Sequence, residues 1–513
     1  MEQEKKLILD VNESPKKVGQ WIILAVQHVL AMFVACITVP LIVFSSALVP
    51  TGFANAGSVV SYIDANGTSL AASFVGPTLV AAGVGTLIYI FLTKMKSPVF
   101  LASSFAYIAP MVSAISLGSL PMMRDASGAI VPATAGAEVV GFFGNLWALP
   151  IGMAFVGLVY VIVALIIRVA GVAWLNKLLP PIVIGPVIMV IGLGLAGSAV
   201  SNLTSASGSG SQYNLVAILC GLIAMAVTAV CAHYGKKTIA LIPFVIGMGA
   251  GYIAAVLFTL IGYTAAGNEY FHIVDFGPIV NNFSNVSFTS FLSLPSFLFM
   301  PQNAPAMSAV LSGNHIGTIA LLFIPVSLVT ICEHIGDHKN LGGILDRDLL
   351  EDPGLSRTLM GDGIATAVSG LFCGAANTTY GENVAVVGVT KIASVKVIML
   401  ACAMTILLAF LSPIMCIVET IPTCVTGGVS LLLYGFIASS GVKMLLAEKI
   451  DFSKTRNIFV ASVILVSGIG GLSIAFAIGD MSITVTATAV SMILGILTNL
   501  LLKEKPEEKK ALE

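Results

Sequence analysis

Long apolar stretches, parted by short polar breaks, run the length of the 513-residue chain. Stretches long enough to cross a bilayer, roughly 20 residues each, fall near 21–46, 75–94, 98–118, 144–168, 180–199, 213–233, 238–264, 317–338, 357–373, 383–400, 398–419, 424–443, 457–475 and 482–502. The pattern predicts an all-α polytopic membrane protein of fourteen transmembrane segments. The count becomes thirteen if the short tenth segment is re-entrant.

Two segments depart from a plain apolar run. The third reads SPVFLASSFAYIAPMVSAISLG from Ser97, and the tenth region reads FCGAANTTYGENVAVVGVTKIAS from Phe372. Each opens with small, polar, helix-poor residues and then starts a short apolar helix. A helix from Asn383 to Lys396 is ~21 Å long at 1.5 Å per residue, short of the ~30 Å hydrocarbon core; one from Phe105 to Leu117 falls short likewise. Both are expected to begin near the membrane midplane after an extended lead-in. They stand seven segments apart, an odd number, so they run in opposite directions. Opposed short helices in the two halves mark the substrate site of inverted-repeat transporters. The fifth and twelfth segments, PPIVIGPVIMVIGLGLAGS from Pro180 and IPTCVTGGVSLLLYGFIASSG from Ile421, repeat the offset. A simple kink accounts for one such break, but less well for two matched pairs.

Charge sets the orientation. With an N-terminus inside and every segment crossing, each of the 24 Lys and Arg except Arg124 falls at an inner end, as the positive-inside bias requires. The stretch 266–316, expected outside as ordered cover, contains no Lys or Arg. The longest inner loop, 339–356, is too short to fold alone. The polar N-terminal stretch lacks the form of a cleaved signal, so the first span is expected to stay in the membrane.

Composition agrees: 57% of residues are hydrophobic and 10% charged, mean hydropathy is +1.01, and soluble domains carry about 25% charged residues. The formal net charge of −1 gives no basis for nucleic-acid binding. The eight cysteines lie in or beside apolar runs without CxxC spacing, so no disulfide, metal or cofactor is expected. No nucleophile–base set points to an enzyme.

Ionisable residues inside spans are few, and each costs about 2.5–3.5 kcal/mol at the bilayer centre. Glu382 sits at the proposed midplane helix start, where it could cap the helix, accept N–H donors from a ligand, or do both. Glu333 and Asp337 share one face of the eighth segment at i, i+4 spacing. A frayed helix end and a functional pair fit them equally. His28 reads as a satisfied interior histidine, with a polar-network role as the lesser reading. Phe105 and Tyr380 open the two broken regions; each alone would be packing, but the pair could sandwich a flat ring. Ser104, Thr379 and Tyr434 are further candidates to line the same place. Together these positions suit a planar, uncharged ligand rich in N–H groups.

At QHVLAMF from Gln27, SSFAYIAPM from Ser103, EHIGD from Glu333, DPGLSR from Asp352, NTTYGENV from Asn377 and GGVSLLLYGFIASSG from Gly427, the chain resembles the uracil permease branch of the nucleobase–ascorbate transporter family, also called nucleobase–cation symporter 2. The resemblance implies two inverted sets of seven segments. It implies a core domain (21–170 and 317–420) and a gate domain (171–265 and 421–502), with tails at 1–20 and 503–513 and a connecting region at 266–316. It further implies uracil–proton symport by alternating access of an elevator kind, in a homodimer within the cell inner membrane, both termini cytoplasmic. Glu333 and Glu382 would bind the base, and Phe105, Tyr380 and Gly381 would line its site. The family's frequent proton-coupling His, four residues after the EH glutamate, is Asp337 here, so coupling is expected at Asp337 with Asn383 and His28 beside it. Ala385 stands where the family signature has Gly. Transport of xanthine or another purine, or of an anion, on the same fold is the alternative.

Overall fold

In a computed structural model the described residues are 7–47, 72, 74–115, 122–125, 130–132, 139–142, 145–204, 213–236, 238–295, 297, 313–478 and 481–502. The expected Lys5, Lys6, Lys237, Lys503, Lys505, Lys509 and Lys510 of the inner ends, and Pro301 and Pro305 in the expected outer stretch 266–316, lie outside them. Among the described residues, eight helices are long and apolar enough to cross a membrane, and shorter apolar helices accompany them.

The segments follow in chain order: α1 Val18–Ala47, α2 Val75–Leu92, α3 Ile108–Ile115, α4 Ala148–Ala170, α5 Pro181–Gly194 with its continuation Ala196–Thr204, α6 Leu215–Tyr234 and α7 Pro243–Leu257 with its continuation Phe258–Tyr263. The second set is α8 Gly313–Leu345, α9 Leu355–Leu371, α10 Gly381–Thr390, α11 Val395–Ala409 with Ser412–Glu419 beyond it, α12 Thr423–Ala447, α13 Thr455–Ile469 and α14 Ala487–Leu501. Strands are short: β1 Leu101–Ser103, β2 Met122–Asp125, β3 Ile130–Pro132, β4 Val139–Phe142, β5 Asn377–Thr379, β6 Ile474–Ile478 and β7 Met481–Val485. The fold is the expected one, two inverted sets of seven, with extended stretches leading into half-helices α3 and α10.

Those two stretches are β1 and β5, and they pair antiparallel: Leu101 with Thr379, Ala102 with Thr378, Ser103 with Asn377. Non-helical backbone at membrane depth survives only where protein buries it and satisfies its polar groups. All six residues are buried. One hydroxyl from each half closes the outer edges of the ribbon. Thr86 Oγ1 of α2 accepts the Leu101 N–H at 2.9 Å, and Thr366 Oγ1 of α9 donates to the Asn377 carbonyl at 2.9 Å. Helices two and nine are seven apart, so the repeat extends to the ribbon's supports. Asn377 Nδ2 also donates to the Ala81 carbonyl, and the Ala375 N–H to Thr78 Oγ1.

Around the ribbon, α9 packs on α2 and α4, α11 on α1 and α2, and α8 on α4. A second group gathers about α5 and α12, with α6, α7, α13 and α14 beside them. Small residues set the approach, as is usual where lipid offers no hydrophobic drive between helices. A Cβ on Gly157 of α4 would stand 2.8 Å from the Gly363 carbonyl oxygen of α9, and Gly185 of α5 faces Gly441 and Leu445 of α12 as closely. The eight cysteines are unpaired.

Three expected boundaries move. The tenth helix ends at Thr390 rather than near 400, because Lys391 takes the left-handed conformation at φ 58°. There the chain turns to pair with the N-terminal stretch, through Ile8 N–H to the Lys391 carbonyl and Ala393 N–H to the Leu9 carbonyl. The eleventh segment breaks at Phe410–Leu411, where Leu292 bridges to Leu411. Between α13 and α14 the apolar run is a β-hairpin, β6 with β7, not helix: Gly471 at φ 76° stops α13, and the β-branched and aromatic residues that follow, Ile474, Phe476, Ile478, Ile483, Thr484 and Val485, suit a pleated strand.

Replacing Thr86 by Val keeps the volume but strands the Leu101 N–H, at a cost of about 1–3 kcal/mol. The detergent-solubilised protein should melt at a lower temperature than wild type. Thr204→Val, at an exposed hydroxyl, should melt as wild type does.

Candidate functional site

A cavity of about 140 Å³ opens beside the β1–β5 ribbon, between the two helix groups. Three elements of the first group line it: the β1–α3 junction with Ser103 and Phe105, α8 with Glu333 and Asp337, and the β5–α10 junction from Thr378 to Glu382. From the second group come Ile188 of α5 and, on α12, Phe436, Ser440 and Lys443. The lining continues past Lys339 and Glu448, so the cavity runs toward the chain's cationic end.

The local sequence explains these positions. Tyr380 is extended (φ −118°, ψ 105°) and ends the strand, and α10 begins with Gly381. The first N–H groups of a helix have no partner within it, and the N-terminal dipole favours negative charge or carbonyl oxygen there. Ser104 plays the same part before the turn Phe105–Tyr107 that opens into α3. Two helix starts from opposite directions therefore meet at one cavity.

Three carboxylates are present. Glu382 is 8% exposed, and its Oε1 has no hydrogen-bond partner. Asp337 accepts the Thr379 hydroxyl at 2.7 Å. Glu333 is half-buried and receives only a long contact, 3.4 Å, from Thr378 Oγ1. A buried acceptor without a donor costs about 1–3 kcal/mol, more when charged. The site is thus rich in unspent acceptors, which an N–H-bearing ligand would satisfy. A ring has aromatic walls available: Phe105 meets Tyr434 of α12 edge-on at 5.4 Å between centroids, and Tyr380 is buried at the start of α10.

The structure thus brings Glu333, Glu382, Phe105, Tyr380, Gly381, Asp337 and Thr379 to one cavity, with Tyr434 against Phe105. Ser104, Asn383 and His28 are buried behind it. Asn383 does not pair with Asp337; its Nδ2 bonds His28 at Nδ1 (3.1 Å) and at the carbonyl (3.0 Å), so it ties α10 to α1. Sequence reading missed Ser103, Thr378 and, on α12, Phe436, Ser440 and Lys443, having named only Tyr434 there. It also missed a fully buried polar cluster on α8 and α9, His334, His338 and Asp362. An acid in the middle of the ninth apolar run, and the repeated acid–His doublets Glu333-His334 and Asp337-His338, were its signals.

Two inverted sets of seven helices, with a cavity of polar groups between them, define a multi-pass membrane transporter rather than an enzyme. Residues 19–476 match the model of the Permease family. The chain belongs to that family, the nucleobase–ascorbate transporters. It is 37% identical over 502 residues to the uracil permease of Bacillus caldolyticus, covering 98% of this chain and 96% of that one. It is 34% identical to the uracil permease of Bacillus subtilis (strain 168), covering 99% and 98%, and 31% identical to that of Escherichia coli (strain K12), covering 98% and 96%. Among solved structures it is similar to the transmembrane domain of the cyanobacterial bicarbonate transporter BicA, with a TM-score of 0.50, 12% identity, and 93% and 96% of the two chains covered. It is also similar to the murine solute carrier 26 family member A9 anion transporter in its inward-facing state, with a TM-score of 0.51, 11% identity, and 95% and 69% covered. At such identity these two structures speak for the fold alone.

Asn383→Ala should leave the His28 Nδ1 acceptor unpartnered in the interior. A loss of about 1–3 kcal/mol, read as a lower melting temperature, is expected, whereas Ser440→Ala at the cavity wall should leave melting unchanged.

Proposed function

We propose that this chain imports uracil, or a closely related nucleobase, by proton symport. The observation that carries the reading is the cavity itself: Glu382 at the start of α10 and Glu333 within α8 both line it, with acceptor capacity to spare. Uracil presents two N–H donors and two carbonyl acceptors on a flat, uncharged ring. The carboxylates take the donors, the free N–H groups of the helix starts serve the carbonyls, and Phe105 and Tyr380 cover the faces. A site built to hydrogen-bond such a ligand rejects analogues that leave its buried groups unpaired. The names of the curated relatives support the same substrate. The fold shared with bicarbonate and anion transporters does not carry an anion to this site, because an anion would face three carboxylates. The nearest cations are engaged at the rim, Lys339 with Glu448 at 2.6 Å and Lys443 over the Phe436 ring at 5.3 Å.

The helices about the ribbon, α1–α4 and α8–α11, form the core that carries the substrate, and α5–α7 with α12–α14 form the gate it moves against. The cavity opens toward the Lys-rich ends, which the positive-inside bias places in the cytoplasm together with both termini. Protonation within the acidic set, Asp337 foremost, lowers the buried charge and permits the core to move. The protein works as a homodimer.

In cells lacking other uracil uptake, Glu382→Gln should reduce labelled uracil uptake at least tenfold with the protein still in the membrane; unchanged uptake would remove its assigned role. Wild-type uptake should rise as the outside is acidified and fall with a protonophore. Indifference to both would rule out symport. A panel of unlabelled bases should show uracil competing better than xanthine.

A further inference from the structure

Behind the carboxylates of the cavity, on the other side of α8, lies a second set of ionisable groups that substrate binding does not use. Residues 333 and 337 face the cavity, and residues 334 and 338 face inward. His334 and Asp362 of α9 form a pair at 2.8 Å, Nδ1 to Oδ2, with both side chains 0% exposed. His338 stacks on His334 at 4.1 Å between centroids. Its two ring nitrogens are committed: Nδ1 donates to the His334 carbonyl at 2.7 Å, and Nε2 meets the Tyr89 hydroxyl at 2.6 Å, which in turn bonds Ser97 Oγ at 2.7 Å. His334 differs. Its Nε2 has no partner, and neither has Asp362 Oδ1. Two polar atoms of one buried pair thus have capacity left over, one on each member.

The surroundings contain hydroxyls and acids. Tyr89 reaches in from α2 and Tyr160 from α4, its ring 6.5 Å from that of His334. Tyr107, from the turn before α3, bonds Thr330 of α8. Asp362 acts electrostatically on Glu333 and Asp337. The described Lys and Arg ion pairs, Lys96–Asp352, Lys339–Glu448 and Arg347–Asp10, are all partly exposed and lie at the inner surface. An ionised Asp362 therefore has one compensating partner to hand, a protonated His334. A buried ionisable group within a span is costly and marks an ion or proton pathway.

We propose that the His334–Asp362 pair is a second protonation site of the transport cycle, which holds one proton more in the loaded carrier than in the empty one. The proposal rests on the symport reading above. With the extra proton the pair is neutral overall, as His334 imidazolium with Asp362 carboxylate or as neutral imidazole with carboxylic acid. Without it the pair bears one negative charge. The proton comes from the external solution and leaves to the cytoplasm. Uracil and proton then favour each other. The ligand's N–H groups stabilise ionised Glu333, and that charge, one residue away on α8, attracts the proton to the pair. Such coupling is reciprocal for binding.

The test uses the purified full chain in lipid vesicles, comparing wild type, Asp362→Asn and His334→Gln. Three quantities are read: uracil accumulation driven by an acid-outside gradient, exchange of labelled for unlabelled uracil without a gradient, and protons taken up per uracil by a pH-sensitive dye. In both variants protons per uracil should fall at least twofold and accumulation at least tenfold, while exchange stays within about threefold of wild type. A variant that takes up as many protons per uracil as wild type would overturn the proposal. So would loss of exchange in step with accumulation in both variants, since that is what a merely structural pin between α8 and α9 produces. If wild type itself shows no proton uptake with uracil, the symport reading falls and this one with it. A normal wild-type signal with unchanged variants sinks this proposal alone.

Discussion

Everything in this protein depends on how two short stretches of extended chain are tolerated in the middle of a membrane. A backbone N–H or C=O left bare in hydrocarbon costs several kcal/mol, so spans are helices unless something replaces the helical bonds. Here β1 and β5 satisfy each other, and Thr86 and Thr366 close the edges from α2 and α9. Once the ribbon is in place, two helices must begin beside it, and their unpaired first N–H groups face the same small volume. The proposed recognition chemistry follows from that architecture: the helix starts would supply donors, the nearby carboxylates acceptors, and the aromatic residues at the start of each helix flat walls.

The site contains more acid than a hydrophobic interior can keep ionised together. Glu333, Asp337, Glu382 and Asp362 lie on three helices, and the described lysines and arginines lie at the surface. Thr379 supports Asp337 and His334 supports Asp362, while Glu382 keeps an unpaired oxygen. Such a cluster lowers its charge by binding a proton, and a donor-rich ligand stabilises the charge that remains. That makes the same residues suited to selecting a neutral base and to coupling its passage to protons.

Much of this was legible in the sequence. Hydrophobic run lengths and Lys/Arg placement located the fourteen segments, and the small, polar lead-ins SPVFLASS and FCGAANTT located both half-helices and their opposed directions. Glu382, Phe105 and Tyr380 came from their place in those breaks and from the family motifs, and Glu333 from its spacing with Asp337 and the EHIGD motif. What stayed hidden depended on tertiary contacts. The early end of α10 at Lys391 follows from backbone pairing with the chain's own N-terminal stretch, far away in sequence. The β6–β7 hairpin lay in an apolar run whose composition suits helix or strand. The His28–Asn383 bond joins residues 355 apart, and no local spacing announces it. Of the α12 wall only Tyr434 was singled out, because no charge or break marks Phe436 and Ser440 within that helix.

The central claim is that acceptor groups on α8 and α10 hold the N–H edges of a flat, neutral ring. Binding of uracil, 1-methyluracil and 3-methyluracil to the purified protein, measured by calorimetry at one pH, tests it most directly. The account predicts that uracil binds at least tenfold more tightly than either methylated form, since each methyl removes one donor and strands a buried carboxylate oxygen. Equal affinities for all three would contradict it.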